Sequence, residues 1–273
     1  MLSKTEKERA YLYDLFIAPA WQNCFDDLFN ENVGLPEEGR VLDVNCGTGG
    51  HSIEMAESLR GRGEVVALDT SGERLELARA KAQIKKLPEV TFFEIADPVS
   101  LDFEDNSFDL VVGDASMILS AYDIKEMVSE MVRVAKPGAT VALKIASRGS
   151  FDEFFSIFWE AIHECHLDDA SEELERLITE RLTVSDAEAM AKRAGLKNAK
   201  SVTKKEEFFY DTARQFLTAP LIEDFFLDKW MEILPDQQTA DRVYRAIERI
   251  IDRERHGQQF DFSIKATLIY GQK

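Results

Sequence analysis

The stretch Val41-Leu42-Asp43-Val44-Asn45-Cys46-Gly47-Thr48-Gly49-Gly50 joins a short apolar run to a turn rich in glycine, and an amphipathic segment follows it. The run predicts a strand, and the segment predicts a helix. Glycine allows positive φ and lets a ligand approach the backbone without interference from a Cβ atom. A helix that begins at such a turn directs its free N–H groups and positive dipole end towards the ligand. We call residues 45–50 the glycine turn and interpret it as a nucleotide-type site.

Strands and helices alternate along the chain on both sides of the glycine turn. Strands are predicted at residues 40–44, 64–69, 90–95, 108–112, 139–145, 199–209 and 260–270. Helices are predicted after the turn and at residues 71–86, 123–135, 151–165, 171–181, 183–195 and 211–256. The last strand follows helices directly, so we expect it to form a hairpin with the sixth. The predicted fold class is α/β, with a doubly wound, mostly parallel seven-stranded sheet, an antiparallel last strand, and a helical cap and insertions.

Helical segments outside this alternation divide the chain further. Residues 5–32 carry apolar side chains at helical spacing and predict one or two helices, with Pro19 as the break. For the helix at 183–195, Thr183 or Ser185 is the expected cap, and Glu188 could complete a capping box on Ser185. The division comprises an N-terminal helical cap, a cofactor-binding α/β core, helices with the sixth strand, a helical lid and the last core strand, at residues 1–36, 37–150, 151–210, 211–257 and 258–273.

Charge and composition argue against several classes of partner. The chain has 33 Lys and Arg residues against 51 Asp and Glu residues, a net charge of −18. Binding to a nucleic-acid backbone or an anionic membrane requires clustered positive charge, so we expect neither. No apolar stretch approaches the ~18 residues of a membrane span. Three widely spaced cysteines provide no disulfide framework and favour a reducing, cytoplasmic location.

Two acidic side chains narrow the choice of ligand. Asp43 ends the strand before the turn, where a carboxylate would repel a pyrophosphate but suit a cationic amine or sulfonium. The dinucleotide fingerprint G-x-G-x-x-G also fails, because Ser52 stands at its third glycine position, and no P-loop follows. Asp69 ends the second strand about 20 residues after the turn, the spacing at which a carboxylate accepts from two ribose hydroxyls. Ala96-Asp97, after the third strand, could accept from an adenine amino group.

Each of these features also has a purely structural explanation. A glycine-rich turn alone is often only a tight turn, Asp69 alone could cap the helix at 71–86, and His51 is expected on the surface of the first helical turn. His163 and His166 share one helix face but lack further ligands at metal-binding spacing, so no metal site is expected. Because the turn and the acids occur in order at strand ends, we favour a nucleoside site.

The same residues resemble the class I S-adenosylmethionine-dependent methyltransferases, over about residues 38–147 and, more loosely by strand order, over 183–273. Residues 43–49 resemble the family's acid-x-Gly-x-Gly-x-Gly motif, Asp69 matches its ribose-binding acid, and Ala96-Asp97 match its adenine-side motif. Residues 105–111 and 134–139 resemble the stretches that enter its fourth and fifth strands. Asn45 departs from the motif, which usually has glycine there, but Asn is among the non-glycine residues best able to take positive φ.

The resemblance implies S-adenosylmethionine as the cofactor and methyl transfer as the activity. It implies a cofactor-binding set comprising Asp43, Asn45, Gly47, Thr48, Gly49, Asp69, Thr70, Ala96, Asp97, Asp114 and Ala115. Candidate substrate contacts are Tyr13, Ser116 and Tyr210, and Asp114 also lies close to where the methyl group is expected. We assign no catalytic base, because in-line transfer from a sulfonium depends mainly on positioning and exclusion of water.

The expected methyl acceptor is a small molecule. Segments 5–32 and 211–256 are rich in apolar side chains, and we expect them to pack over the carboxyl edge of the strands and enclose the methyl donor in an apolar chamber. The alternative use of these segments is a homodimer interface. A protein or RNA methyltransferase and a non-catalytic S-adenosylmethionine-binding protein are the alternative functions, whereas Asp43 and the poor fingerprint oppose a nicotinamide dehydrogenase.

Overall fold

The computed structural model describes residues 4–118, 120–254 and 258–273. Residues 1–3 of the expected cap and 255–257 of the expected lid lie outside these ranges. The described chain forms a seven-stranded sheet ordered β3-β2-β1-β4-β5-β7-β6. Its strands are β1 Gly39–Val44, β2 Gly63–Asp69, β3 Val90–Glu94, β4 Phe108–Asp114, β5 Ala135–Ala146, β6 Lys197–Tyr210 and β7 Phe260–Gln272. β1 is parallel to β2 and β4, whereas β7 is antiparallel to β5, so the predicted fold class is confirmed.

Helices cover the central strands on both faces. The α-helices are α1 Glu6–Leu12, α2 Asn23–Asn32, α3 Gly50–Leu59, α4 Gly72–Lys85, α5 Ala121–Val134, α6 Asp152–Glu164, α7 Ser171–Glu180, α8 Val184–Arg193, α9 Ala213–Leu217, α10 Pro220–Ile222, α11 Asp228–Met231 and α12 Gln237–Glu254. Val41 and Leu42 of β1, like Val111 and Val112 of β4, are fully buried. Burial on both faces explains why these strands appear in the sequence as continuous apolar runs.

The N-terminal segment, residues 5–32, is helical without interruption from Glu6 to Asn32, so the predicted break at Pro19 is wrong. α1 passes into a π-helical stretch, Tyr13–Gln22, which contains Pro19, and then into α2. In an α-helix a proline removes a hydrogen bond and clashes with the carbonyl four residues earlier. The wider π turn accommodates the ring without ending the helix. The side chains on the buried face of this stretch are Tyr13, Ile17, Trp21 and Gln22.

The fifth strand begins earlier than its sequence pattern indicates. Residues 136–138, between the predicted helix at 123–135 and the predicted strand at 139–145, lie instead inside β5, whose first residue, Ala135, pairs with Phe108 ahead of a register shift. Gly138 adopts a φ of +83°. The irregularity therefore absorbs the proline and glycine within the strand, as bulges commonly do.

The helix α8 is capped by Thr183, whose hydroxyl accepts the Asp186 N–H at 3.1 Å. The capping box predicted on Ser185 is wrong. Glu188 instead accepts a hydrogen bond from the Ser201 hydroxyl at 2.6 Å, so its carboxylate ties α8 to β6. This long-range partner has no signal in the local sequence.

The chain separates into two compact units. The first comprises Met1–Ala146, Thr183–Thr203 and Ala266–Lys273, and the second comprises Ser147–Leu182 and Lys204–Lys265. The glycine turn and the N-terminal segment both belong to the first unit. The second unit has an aromatic core, in which Phe154 and Phe226 stack on Trp230. No helix in the described ranges has the length and apolar composition needed to cross a membrane.

Candidate functional site

Three residues of the glycine turn adopt positive φ: Asn45 at +62°, Gly47 at +59° and Gly49 at +75°. The left-handed conformation is unfavourable for a residue with a Cβ. Asn45 offsets part of this cost, because its Nδ2 donates to the backbone carbonyl oxygen of Asp114 at 2.8 Å. The departure from glycine at this position therefore leaves the turn intact and links it to the end of β4.

Close packing explains why glycine is required at the other two positions. A Cβ on Gly47 would lie 2.8 Å from Gln22 Nε2 and from Tyr13 Cε1, and one on Gly49 would lie 2.8 Å from the Cβ of Ala78 in α4. Gln22 and Tyr13 belong to the N-terminal segment and reach the turn with the ends of their side chains. Tyr13, a predicted substrate contact, therefore lies directly on the turn.

Hydrogen bonds also tie the N-terminal segment to the carboxyl edge of the sheet. The buried Thr48 hydroxyl donates to Asp14 Oδ1 at 2.5 Å, and Lys81 Nζ donates to the same oxygen at 2.6 Å. The Trp21 indole N–H donates to the hydroxyl of Ser116 at 2.8 Å. The segment is thus fixed at the glycine turn and at the residues that follow β4.

The carboxyl of Asp43 lies in the interior beneath the turn. It is 2% exposed and accepts a hydrogen bond from the Ser52 hydroxyl at 2.6 Å. Burial raises the pKa of Asp43 to about 7, against the opposing effects of the Lys144 ammonium and the Ser52 hydroxyl. Ser52, which breaks the dinucleotide fingerprint, is therefore the residue that holds Asp43 in place.

Asp69 is already engaged by protein donors. Its Oδ2 accepts the Gly47 N–H at 2.8 Å, and its Oδ1 accepts the Ser71 N–H at 2.9 Å and two N–H groups of Arg74. The Arg74 guanidinium also lies 5.0 Å from the centre of the Tyr13 ring. Since each carboxylate oxygen has two lone pairs, only Oδ2 retains acceptor capacity. Two ribose hydroxyls could bind Asp69 together only if Arg74 moved.

The helix-capping explanation of Asp69 is wrong, because the cap of α4 is Ser71, whose hydroxyl accepts the Arg74 N–H at 3.3 Å. Arg74 itself was not among the predicted site residues. A charged residue in the first turn of a helix is unremarkable in sequence, so only the fold reveals that its guanidinium reaches back to Asp69.

The remaining predicted residues lie at or just after the ends of strands. Thr70, Ala96 and Asp97 are exposed after β2 and β3, and Asp97 Oδ1 accepts the Val99 N–H at 2.9 Å. Tyr210 ends β6 and belongs to the second unit, whereas the other predicted residues belong to the first.

Asp114, Ala115 and Ser116 form the end of β4 and the turn after it. Asp114 Oδ1 accepts the Ser116 N–H at 2.8 Å, and burial raises the pKa of Asp114. Ala115 is buried, and its N–H donates to the carbonyl oxygen of Lys144 at 2.9 Å. These contacts hold the residues after β4 against β5.

A buried charge cluster lies beneath the turn. The ammonium of Lys144 in β5 lies 2.5 Å from Asp26 Oδ1 in α2 and 3.0 Å from His51 Nδ1 in α3. His51 is 5% exposed, so its predicted surface position is wrong. Burial and the neighbouring ammonium lower the pKa of His51 to about 3, so the ring is neutral. A lysine inside the apolar run 141–146 is the sequence signal that could have revealed this cluster.

Comparison with known proteins identifies part of the chain directly. Residues 41–138 match the sequence profile of the methyltransferase domain family. A demethylmenaquinone methyltransferase of Lactiplantibacillus plantarum is 36% identical over 108 residues, covering 39% of this chain and 45% of the relative. The methyltransferase GfsG of Streptomyces halstedii is 30% identical over 138 residues, covering 50% of this chain and 48% of the relative. The chain thus spans about half the length of the curated relatives that it matches.

Solved structures share the fold over most of the chain. The YcgJ protein of Bacillus subtilis has a TM-score of 0.59 at 20% identity and covers 92% of this chain and 98% of its own. Phosphoethanolamine N-methyltransferase 2 of Haemonchus contortus, solved in complex with S-adenosyl-L-methionine, has a TM-score of 0.57 at 18% identity and covers 98% of this chain and 57% of its own. Residues 41–138 thus form a methyltransferase domain, and the strand order and glycine turn around it agree with the resemblance to the class I S-adenosylmethionine-dependent methyltransferases.

Proposed function

We propose that the chain transfers the methyl group of S-adenosylmethionine to a small-molecule acceptor. The observation that carries the proposal is the covering of the glycine turn by the N-terminal segment, in which Tyr13 and Gln22 crowd Gly47 and Asp14 accepts from Thr48. A turn covered in this way suits an acceptor small enough to enter beside the donor. It does not suit a folded protein or a nucleic-acid duplex, and a net charge of −18 also opposes a nucleic acid.

The residues of the turn fit this cofactor. At Gly47 the space that a Cβ would fill is bordered by the flexible amide end of Gln22, which a ligand can displace, and by the edge of the Tyr13 ring. Asp69 Oδ2 has capacity to accept one ribose hydroxyl. The exposed Asp97 is the proposed acceptor for the adenine amino group. We extend the proposal to the rest of the cofactor-binding set, namely Asp43, Asn45, Thr48, Gly49, Thr70, Ala96, Asp114 and Ala115.

When bound, S-adenosylmethionine supplies a methyl group on a sulfonium, which is electrophilic without further activation. The task of the protein is then to hold the acceptor in line and to exclude water. Positioning of this kind can lower the activation barrier by about 7–11 kcal/mol. In our proposal Ser116, held by Trp21, lies on the acceptor side of the site.

The printed names of relatives and fold neighbours support a small acceptor. The demethylmenaquinone methyltransferases are named for a quinone, and a related Haemonchus contortus structure, at a TM-score of 0.58, is a complex with phosphomonomethylethanolamine and S-adenosylhomocysteine. We carry from them only the size class of the acceptor. Closure of the site by residues 211–256, a substrate contact from Tyr210, dimer formation and a cytoplasmic location are further parts of the proposal and rest on the sequence alone.

A labelled-methyl transfer screen tests the proposal. The protein is incubated with methyl-labelled S-adenosylmethionine in three parallel reactions. One contains small-molecule extract, one contains protein extract and one contains tRNA. We expect label in the small-molecule fraction, and none with Gly47→Val, whose Cβ would meet Gln22 and Tyr13 at a φ of +59°. Label in the protein or tRNA fraction alone would contradict the proposed acceptor class.

A further inference from the structure

Lys144 occupies an unusual position for a lysine. It is 2% exposed, and in the sheet it pairs with Asp114 of β4 on one side and with Leu268 of β7 on the other. An ammonium withdrawn from water is stable only where carboxylates or other acceptors surround it. The buried groups that surround the Lys144 ammonium therefore indicate what this lysine does.

Those partners come from four elements around the glycine turn. The ammonium contacts Asp26 of α2 and His51 of α3 directly, and Asp43 of β1 and Asp114 of β4 act on it electrostatically. Burial alone would lower the pKa of Lys144, but the three carboxylates outweigh that effect and raise it. One cation thus interacts with groups from two segments that precede the glycine turn in the chain, α2 and β1, and from two that follow it, α3 and β4.

The N-terminal segment is connected to this cation through a single helical path. Asp26 lies one helical turn after Gln22, which contacts the turn at Gly47, and Trp21, which is bound to Ser116. His51 lies two residues after Gly49, in the first turn of α3. Displacement of Asp26 would therefore move the N-terminal segment that covers the glycine turn. Displacement of His51 would move the first turn of α3, which follows the glycine turn.

We infer that Lys144 is a positioning residue of the cofactor site: its ammonium fixes Asp26 and His51 and thereby holds the N-terminal segment across the glycine turn. This inference rests on the proposed function, because it assigns the held geometry to cofactor binding. It needs no contact between Lys144 and the cofactor. The competing explanation is a core ion pair that stabilises the fold and nothing more.

Two variants and a matched control separate these explanations. Lys144→Met removes the cation, and Asp26→Asn keeps it but removes the negative charge of its nearest partner at almost constant volume. Lys136→Met makes the same change at the opposite end of β5, where the lysine pairs with Asp109 at the partly exposed amino edge. Circular dichroism and thermal melting establish that each variant is folded at the temperature of the assays.

The first measurement is hydrogen exchange without cofactor. Residues 13–32 should exchange faster in Lys144→Met and Asp26→Asn than in the wild type, and at the wild-type rate in Lys136→Met. This readout does not depend on methyl transfer. Unchanged exchange in both site variants would overturn the inference, even if the proposed function were correct.

The second measurement is calorimetric titration with S-adenosylmethionine between pH 6 and 9. We expect binding to weaken about tenfold in Lys144→Met and less in Asp26→Asn, with Lys136→Met within about twofold of the wild type. Without the ammonium, Asp43 and Asp114 ionise at higher pH, so the pH midpoint of binding should rise in Lys144→Met. Loss of folded protein alone would not move that midpoint.

The double variant Asp26→Leu with Lys144→Met gives the decisive contrast. Apolar replacement of a buried ion pair often leaves the fold stable. If this stable variant binds S-adenosylmethionine weakly, the result supports a positioning role for Lys144. If its affinity and its pH midpoint of binding equal those of the wild type, the Lys144–Asp26 pair contributes to stability alone. If Lys144→Met does not fold, Asp26→Asn and the double variant decide the question. Absence of binding by the wild type would contradict the proposed function, and the exchange experiment would still judge Lys144.

Discussion

Arg74 donates two hydrogen bonds to one carboxylate oxygen of Asp69, from Nε at 3.0 Å and from Nη2 at 2.6 Å. The carboxylate that the family resemblance assigns to the ribose thus already has a counter-charge within the protein, the Arg74 guanidinium. Its Oδ1 has no capacity left for a ligand, and Arg74 is covered in turn by the ring of Tyr13. Cofactor binding must compete with this pair or leave it in place, and the two cases have opposite consequences.

Arg74→Met should bind S-adenosylmethionine about threefold to tenfold more tightly than the wild type, because removal of the guanidinium frees Oδ1 for a second hydroxyl. The unliganded variant should melt at a lower temperature, since it leaves a buried carboxylate without its counter-charge. Calorimetry and thermal melting check both effects, with Arg79→Met, on the same helix, as the control. Weaker binding by Arg74→Met would mean that Arg74 holds Asp69 in position for the ribose.

Asp43 should make stability depend on pH. Its pKa in the folded protein is about 7 against an ordinary value of 3.8. A raised pKa of an acid means that its contribution to stability is present at low pH and is lost as the pH rises towards and through about 7. Asp43→Asn should therefore be about 1–3 kcal/mol more stable, relative to the wild type, at pH 8.5 than at pH 5.

Urea unfolding at the two pH values measures this difference for Asp43→Asn. The control is Asp97→Asn, which makes the same change at an exposed carboxyl instead of a buried one. A stability difference that is the same at pH 5 and pH 8.5 would contradict the raised pKa of Asp43.

Asn45 should tolerate glycine better than alanine. Alanine keeps the strain of a φ near +62° and loses the bond from Nδ2 to Asp114, whereas glycine loses only the bond. The expected losses in unfolding free energy are about 2–3 kcal/mol for Asn45→Ala and about 1 kcal/mol for Asn45→Gly. Equal losses in chemical denaturation would show that backbone strain at this turn is small.

The predicted lid should respond to the cofactor. If residues 211–234 close over the carboxyl edge, S-adenosylmethionine should protect them from limited proteolysis, as it should the N-terminal segment. Cleavage sites are identified by mass spectrometry with and without the cofactor. Equal cleavage in both states, together with a concentration-dependent dimer in solution, would favour the interface instead.

The sequence predicted the features that depend on local pattern. The succession of strands and helices along the chain follows from apolar runs and breakers, and the glycine turn with Asp43 and Asp69 follows from residue types at strand ends. Bounds differed where a bulge intervened, as at Gly138 in β5. Even the departure at Asn45 was interpretable, because positive φ is a property of the residue itself.

What the sequence did not predict depends on partners that are distant along the chain. Lys144 and Asp26 are 118 residues apart, and their pairing exists only once α2 lies against the sheet. His51 has the local context of a surface residue but is buried by that same helix. Pro19 signals a break in any α-helix, and the π-helical path around it depends on the buried face that the stretch presents.

The indole of Trp21, buried and bonded to Ser116, has a practical consequence for spectroscopy. Of the three tryptophans, Trp21 belongs to the first unit, whereas Trp159 and Trp230 belong to the second. Replacement of the latter two by phenylalanine would leave one fluorophore, located where the N-terminal segment meets the end of β4. Its emission would shift to the red whenever water reached the indole, so stopped-flow fluorescence could time the opening of the site in solution without an attached dye.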